Sequence, residues 1–240
     1  ASSMQGRSSR ISEAACTIGG VVANNASGMA CGTAENSYRT LESLVVVLAS
    51  GTVVDTADPD ADRLLAQREP ALVDELMRLR SRVVGDPASV ALIERQFAMK
   101  NTMGYALNAF VDFDTPAALL AHLVVGSEGT LAFVAEATFR TVPIRPAIAT
   151  TLAVFPTLDA ATRSLPALVA TGAATLELMD ATSLRVGQRL EGTPAAIHGF
   201  EATTQAALLV EYHADDPEAL RALAEAGSRV LGEQDLRDPA

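Results

Sequence analysis

The chain has 240 residues, 49 % of them apolar and 20 % charged, a globular profile with length for one large domain or two ordinary ones. Lys and Arg number 18 against 29 Asp and Glu, and the resulting charge of −11 argues against a nucleic-acid binder or a chain held electrostatically to an anionic membrane. Aromatic residues make up 4 % and Trp is absent, which argues against a base-stacking surface, and no apolar run is long enough to span a bilayer.

The opening, 1-ASSMQGRSSR-10, is polar and has no signal-peptide core. Two isolated thiols, Cys16 and Cys31, form neither a disulfide framework nor a zinc site; they read as small buried residues in a reducing, cytoplasmic setting. Next comes 18-IGGVVANNASGMACGT-33, with four glycines, two adjacent asparagines and no charge. It reads as a bare loop with no strand before it. With the abrupt end 235-DLRDPA-240, this gives the expectation of a piece of a longer protein.

Further on, 43-SLVVVLASGTVVDT-56 predicts two strands joined at Ser50-Gly51. Residues 58–84 have helical spacing, with Leu72, Leu76 and Leu79 on one face. Asp86 caps and Pro87 opens a helix over 86-DPASVALIERQF-97, and Thr115 and Pro116 do the same for 115-TPAALLAHL-123. The turn 126-GSEGT-130 feeds a strand from Leu131, with Phe133, Ala135, Ala137 and Phe139 on one face. Pro143 and Pro146 bracket a break, which places a domain boundary near residue 146. Beyond it, strands at 149-ATTLAVF-155, 174-ATLELMD-180 and 206-AALLVEYH-213 alternate with helices, predicting a sheet covered on one face.

Three stretches could carry chemistry. The glycines of 18–33 permit close approach to the backbone, and successive amides can cradle an anion such as phosphate. The alternative is a tight buried turn. In 126-GSEGT-130, Glu128 could accept from ribose hydroxyls or from backbone N–H groups, or it could be simply solvated. In 100-KNTMGY-105 a cation, an amide, a hydroxyl, a glycine and a phenol make a possible ligand loop; the alternative is a helix exit with Lys100 near a helix C-terminus. His122, His198 and His213 are far apart and read as helix-face or strand-end residues, so no metal site is expected. No Ser-His-Asp or Cys-His arrangement is visible.

Taken in order, the run ANNASGM…CGT…NSYRTL, the loop KNTMGY followed by LNA and VDFD, and GSEGTL resemble the FAD-linked oxidoreductases of the vanillyl-alcohol oxidase and p-cresol methylhydroxylase type. The bacterial D-lactate dehydrogenase branch is the nearer likeness. The resemblance implies an α+β fold: the second half of a p-cresol methylhydroxylase-type FAD-binding module over 1–146, then the start of a ferredoxin-like α/β substrate domain over 147–240. It implies FAD contacts at Thr17, Gly19, Gly20, Asn24, Asn25, Ala26, Gly28, Gly32 and Thr33, at Thr102, Gly104 and Tyr105, and at Glu128, Gly129, Phe133 and Val134. Ala132 stands where relatives usually have glycine, and Met103 where a small hydroxyl residue is common. The implied reaction is oxidation of a D-2-hydroxy acid, D-lactate or glycolate, to the 2-oxo acid. Electrons would pass to a quinone, a cytochrome or an iron–sulfur domain, and the full-length enzyme could sit peripherally at the inner membrane. The catalytic base is not identified among these residues. With the first half-module and the later substrate domain absent from the chain, little turnover is expected of it alone, and self-association through an exposed apolar face is expected. An FAD-linked alcohol or sugar oxidase, and a non-catalytic remnant or partner subunit binding a nucleotide or another chain, are the alternatives.

Overall fold

Two glycines within four residues disfavour a helix by about 1 kcal/mol each, yet in the computed structural model Ile18–Asn24 is helical (α1). The model describes residues 16–28, 31–193, 195–198, 202–234 and 236. The opening 1–10 and most of the end 235–240 lie outside the described residues. The expected bare loop therefore begins as a helix, and local interactions explain why. Thr17 caps it, its hydroxyl accepting from the Gly20 N–H, and Asn25 ends it in a left-handed conformation at φ 52°. Val22 is fully buried beneath it.

The chain divides into two units, residues 1–142 and 143–240. In the first, α2 (Ser37–Thr40), β1 (Leu41–Leu48) and β2 (Val53–Asp55) lead to α3 (Ala61–Arg68), α4 (Pro70–Val84), α5 (Pro87–Phe97), α6 (Ala109–Asp112), α7 (Pro116–Val124) and β3 (Ala132–Phe139). The strands form an antiparallel sheet in the order β2-β1-β3. Leu44 and Val46 of β1 and Val54 of β2 pack with Leu65, Leu76, Leu119 and Val124 of the helices in one core.

The helical stretch 58–84 is broken into α3 and α4. Proline has no N–H to continue a helix, and Glu69 before Pro70 is pushed out of helical geometry, at φ −133° and ψ 54°. The Glu69 carboxylate accepts from the Ser50 and Thr52 hydroxyls and so anchors the β1–β2 turn. Leu72 and Leu76 face the core, whereas Leu79 is exposed. The capped starts at Asp86–Pro87 and Thr115–Pro116 form as expected.

Strict alternation in β3 fails. The register passes from Val45↔Glu136 to Val46↔Val134, which leaves Ala135 as a bulge. Ala132 and Val134 pack on the core before the bulge, and Ala137 and Phe139 after it. Phe133 is turned outward and is 71 % exposed.

The second unit contains β4 (Ala147–Phe155), α8 (Leu158–Ala170), β5 (Thr175–Met179), α9 (Ala181–Gly187), α10 (Ala195–His198), β6 (Ala206–Ala214) and α11 (Pro217–Gly232). Its antiparallel sheet has the order β4-β6-β5. Leu168 of α8 and Leu231 of α11 pack on Phe155, Leu208 and Val210 on one face. The other face is not wholly open: Leu184 of α9 and Ile197 of α10 cover Val154 and Ala207 at one end. Leu184 is buried there, at 1 % exposure, with Val154, Ala202 and Ala207. Among the described residues no helix is long and apolar enough to cross a membrane.

Tyr212 sits in this core with its hydroxyl 2.6 Å from Thr171 Oγ1, and Gly227 of α11 leaves the notch that admits the ring. A Cβ at position 227 would land on the tyrosine hydroxyl. Gly227→Ala is expected to destabilise the chain by roughly 1–3 kcal/mol through overpacking, read from urea midpoints. Adding Tyr212→Phe should recover part of that loss.

Candidate functional site

Turn 126–130 is the meeting point of the segments singled out in the sequence. The Gly126 N–H donates to the Val22 carbonyl at 3.1 Å, and the Glu128 N–H donates to the Ala23 carbonyl at 2.8 Å. These carbonyls belong to the last turn of α1; the Val22 carbonyl also accepts from the Asn25 N–H at 3.0 Å. Asn24 Nδ2 adds a bond of 2.8 Å to Glu128 Oε1. The loop 100–105 joins the same turn, for the Tyr105 hydroxyl lies 2.9 Å from Thr130 Oγ1, which itself donates to the Ser127 carbonyl at 2.6 Å. Lys100 Nζ reaches back to the Gly28 carbonyl at 3.1 Å. Helix α1 with the residues after it, the loop and the turn thus form one continuous wall in the first unit.

Glycines in this wall divide into two kinds. Gly19 and Gly126 are packing glycines: a Cβ at Gly19 would stand 3.1 Å from the Val134 carbonyl, and one at Gly126 would stand 3.0 Å from the Gly104 carbonyl and 3.3 Å from Asn25 Cβ. Gly126 also has φ +81°. Gly20 gives its amide to Thr17. Gly19 and Gly20 lie in helix α1, Gly19 half-buried and Gly20 exposed. At Gly28, Gly32, Gly104 and Gly129 a Cβ would meet nothing within 4 Å, and the last three have φ between +52° and +74°. These four are the places where another molecule can approach the backbone.

The remaining candidates fall in between. Asn24 and Ala26 are exposed, but the Asn24 amide is held by Glu128, and the Ala26 carbonyl accepts from Ser37 Oγ at 2.9 Å. Asn25 is buried, and the backbone N–H that follows α1 is already bonded. Thr33 is exposed and Thr102 half-buried. Phe133 faces solvent and Val134 faces the core. Glu128 itself adopts φ +53°, a conformation that asparagine and glycine accept more readily. Ala132 buries its methyl in the core at 7 % exposure, and Met103 is 87 % exposed. The cysteines are not the buried residues expected: Cys16 is exposed and Cys31 half-exposed, its thiol donating to the Gly28 carbonyl at 2.9 Å.

Behind the wall lies a polar cluster that sequence reasoning missed. Asp112 Oδ2 accepts from the Tyr38 hydroxyl at 2.8 Å, from Asn108 Nδ2 at 3.1 Å and from Arg39 at 3.2 Å. Burial, reinforced by Asp112, pushes the Tyr38 phenol far up, and burial holds the His122 imidazole below its usual range. Both rings are therefore neutral at pH 7 and pack as aromatic surface, with His122 stacked 3.8 Å from Phe113. Asn25 Oδ1 and Asn108 Oδ1 have no partner among the described residues and border a cavity of ≈ 20 Å³. That volume suits a single water. The only sequence signal for this cluster was the polar spacing Asn36-Ser37-Tyr38-Arg39, whose partner Asp112 is remote in the chain.

Gly126→Ala and Gly28→Ala separate the two glycine kinds. The first should lose about 1–3 kcal/mol through overpacking, with strain of the left-handed backbone adding to it. The second should stay within about 0.5 kcal/mol of the parent, as surface changes usually do. Thermal and urea unfolding of the two variants measure the difference.

Comparison with known proteins follows the same division. Residues 9–57 match the family model of an FAD binding domain, and residues 144–238 match that of the C-terminal domain of FAD linked oxidases. No curated protein is significantly similar to the chain in sequence. Two solved structures of alkyldihydroxyacetonephosphate synthase, in different space groups, superpose with TM-scores of 0.55 and 0.54 at 12 % and 13 % identity. In both, 92 % of this chain is covered, and the chain spans about a third of the length of those proteins, 33 % and 32 %. At that identity the likeness shows a shared fold. The two matched segments are similar to an FAD binding domain and to the C-terminal domain of FAD linked oxidases, and both matches indicate FAD as the cofactor.

Proposed function

We propose that this chain is part of a flavoenzyme that oxidises a D-2-hydroxy acid, of the D-lactate or glycolate type, to the 2-oxo acid. The observation that carries the reading is the closed wall: three separated segments meet at turn 126–130, and a Cβ at Gly28, Gly32, Gly104 or Gly129 would meet nothing within 4 Å. The resemblance of KNTMGY and GSEGTL to the D-lactate dehydrogenase branch supports the substrate class.

In this reading Gly28, Gly32, Thr33, Thr102, Gly104, Tyr105, Gly129 and Phe133 face the cofactor. Thr17, Gly19, Gly20, Asn24, Asn25, Ala26, Glu128 and Val134 shape the wall from behind or along its edge. Backbone amides approach an anionic or polar ligand without a side chain in the way, and their dipoles are fixed in place before it arrives. Lys100, tied to the Gly28 carbonyl, sets a positive charge beside the open stretch of a chain whose net charge is −11. FAD, when bound, supplies the two-electron redox chemistry, and the protein supplies position and electrostatics. Electrons then pass to a quinone, a cytochrome or an iron–sulfur domain, in a protein that is cytoplasmic or peripheral at the inner membrane.

The test uses the full gene product loaded with FAD, mixed anaerobically with D-lactate, glycolate, a primary alcohol and an aldose in turn. Bleaching of the flavin band by a 2-hydroxy acid, at least tenfold faster than by the alcohol or sugar, is the expected result. Preferential bleaching by the alcohol or sugar overturns the substrate class, and a protein that binds FAD but is bleached by none is the non-catalytic partner. Gly28→Ala should weaken FAD binding about tenfold, which corresponds to ~1.4 kcal/mol, while leaving the unfolding midpoint in place.

A further inference from the structure

Asn108 stands at the N-cap position of α6, where an asparagine oxygen usually accepts from a helix N–H, yet its side chain makes no capping bond. Its Nδ2 donates instead to Asp112 Oδ2 at 3.1 Å. A carboxylate only accepts, so this bond fixes which end of the amide is nitrogen and leaves Oδ1 as the free end. Asn25, the left-handed residue that ends α1, is in a similar position. Its backbone N–H is bonded to the last turn of the helix, and its Oδ1 has no partner among the described residues. The two residues are 4 % and 5 % exposed, so bulk water does not reach these oxygens. Both line the ≈ 20 Å³ cavity behind the wall. A buried polar atom without a partner is costly, and native proteins rarely keep one.

The chemistry of the lining narrows what can serve these atoms. Both are acceptors, so the missing partner is a donor, which rules out an anion. Arg39 also lines the cavity, with its guanidinium on Asp112, and a second cation there would meet its charge. Asn36 Oδ1, on the same lining, is already engaged by the Arg39 N–H. An organic molecule does not fit a volume that holds about one water. We propose that the cavity is a binding site for one water molecule, which donates its two protons to Asn25 Oδ1 and Asn108 Oδ1. The water ties the end of α1 to Asn108, and through it to Asp112 and the Tyr38 and Arg39 side chains. The residue that ends α1 is thereby held from inside, three positions before the open Gly28. Nothing in this linkage depends on what the chain oxidises.

The experiment is a crystal structure of the full gene product at a resolution that shows ordered water, with a second crystal soaked in rubidium chloride. The expected result is a density peak about 2.5–3.0 Å from both Oδ1 atoms, without anomalous signal after the soak. No peak, a peak bonded to one oxygen alone, or the anomalous signal of rubidium in the cavity overturns the proposal. A double-mutant cycle gives a readout that needs no crystal. Asn25→Gly keeps the left-handed backbone while removing one acceptor, and Asn108→Ala removes the other. Groups that share one hydrogen-bond network couple, so the unfolding constant of the double variant should differ from the product of the two single effects by at least about threefold. Additivity within that factor overturns the bridge. If either variant fails to fold, the density alone decides.

Discussion

Two backbone hydrogen bonds, from Gly126 to the Val22 carbonyl and from Glu128 to the Ala23 carbonyl, hold the first unit's functional wall together. The Glu128 N–H takes the Ala23 carbonyl at the end of the helix, and the Gly126 N–H is a second donor to a Val22 carbonyl that already accepts from Asn25. A helix of seven residues with two glycines in its first turn is marginal in isolation. It persists because Thr17 caps one end, the glycine turn closes the other, and Val22 is buried between them.

This coupling explains the composition around it. Glycine at residue 19 lets α1 lie against the Val134 carbonyl, which a Cβ would approach to 3.1 Å. Residue 126 must be glycine to clear the Gly104 carbonyl and to adopt positive φ. The bulge at Ala135 then lets one strand serve two surfaces, with Val134 towards the core and Phe133 outward. Bulges of this kind re-aim side chains beside functional sites. The open glycines gain their accessibility because the packed ones fix the backbone that bears them.

Much of this was legible from local chemistry. The caps at Asp86 and Thr115, the turn at Ser50-Gly51 and the three strand–helix units of the second half each announce themselves within a few residues. What was not legible depended on partners distant in the chain. A Gly-Gly pair does not reveal whether its missing Cβ makes room for a strand carbonyl or for a ligand. The alternation in β3 gave no sign of its bulge, because Ala135 fits either face. For Glu128 the local residues left ribose contact, turn bonding and solvation open, and the bond from Asn24, 104 residues away, to its Oε1 could not be read from them. His213 looked like a strand end; it meets Glu211 two residues back on the same strand, and the register of β4 against β6 adds Thr150.

The most direct test of the wall is amide hydrogen exchange at Gly126 and Glu128. If these amides close the end of α1, both should be protected to a degree comparable with Val46 in the core strand, and Asn24→Ala should lower protection at Glu128 while leaving Val46 unchanged. Exchange of Gly126 and Glu128 at the rate of an unstructured loop would contradict the account.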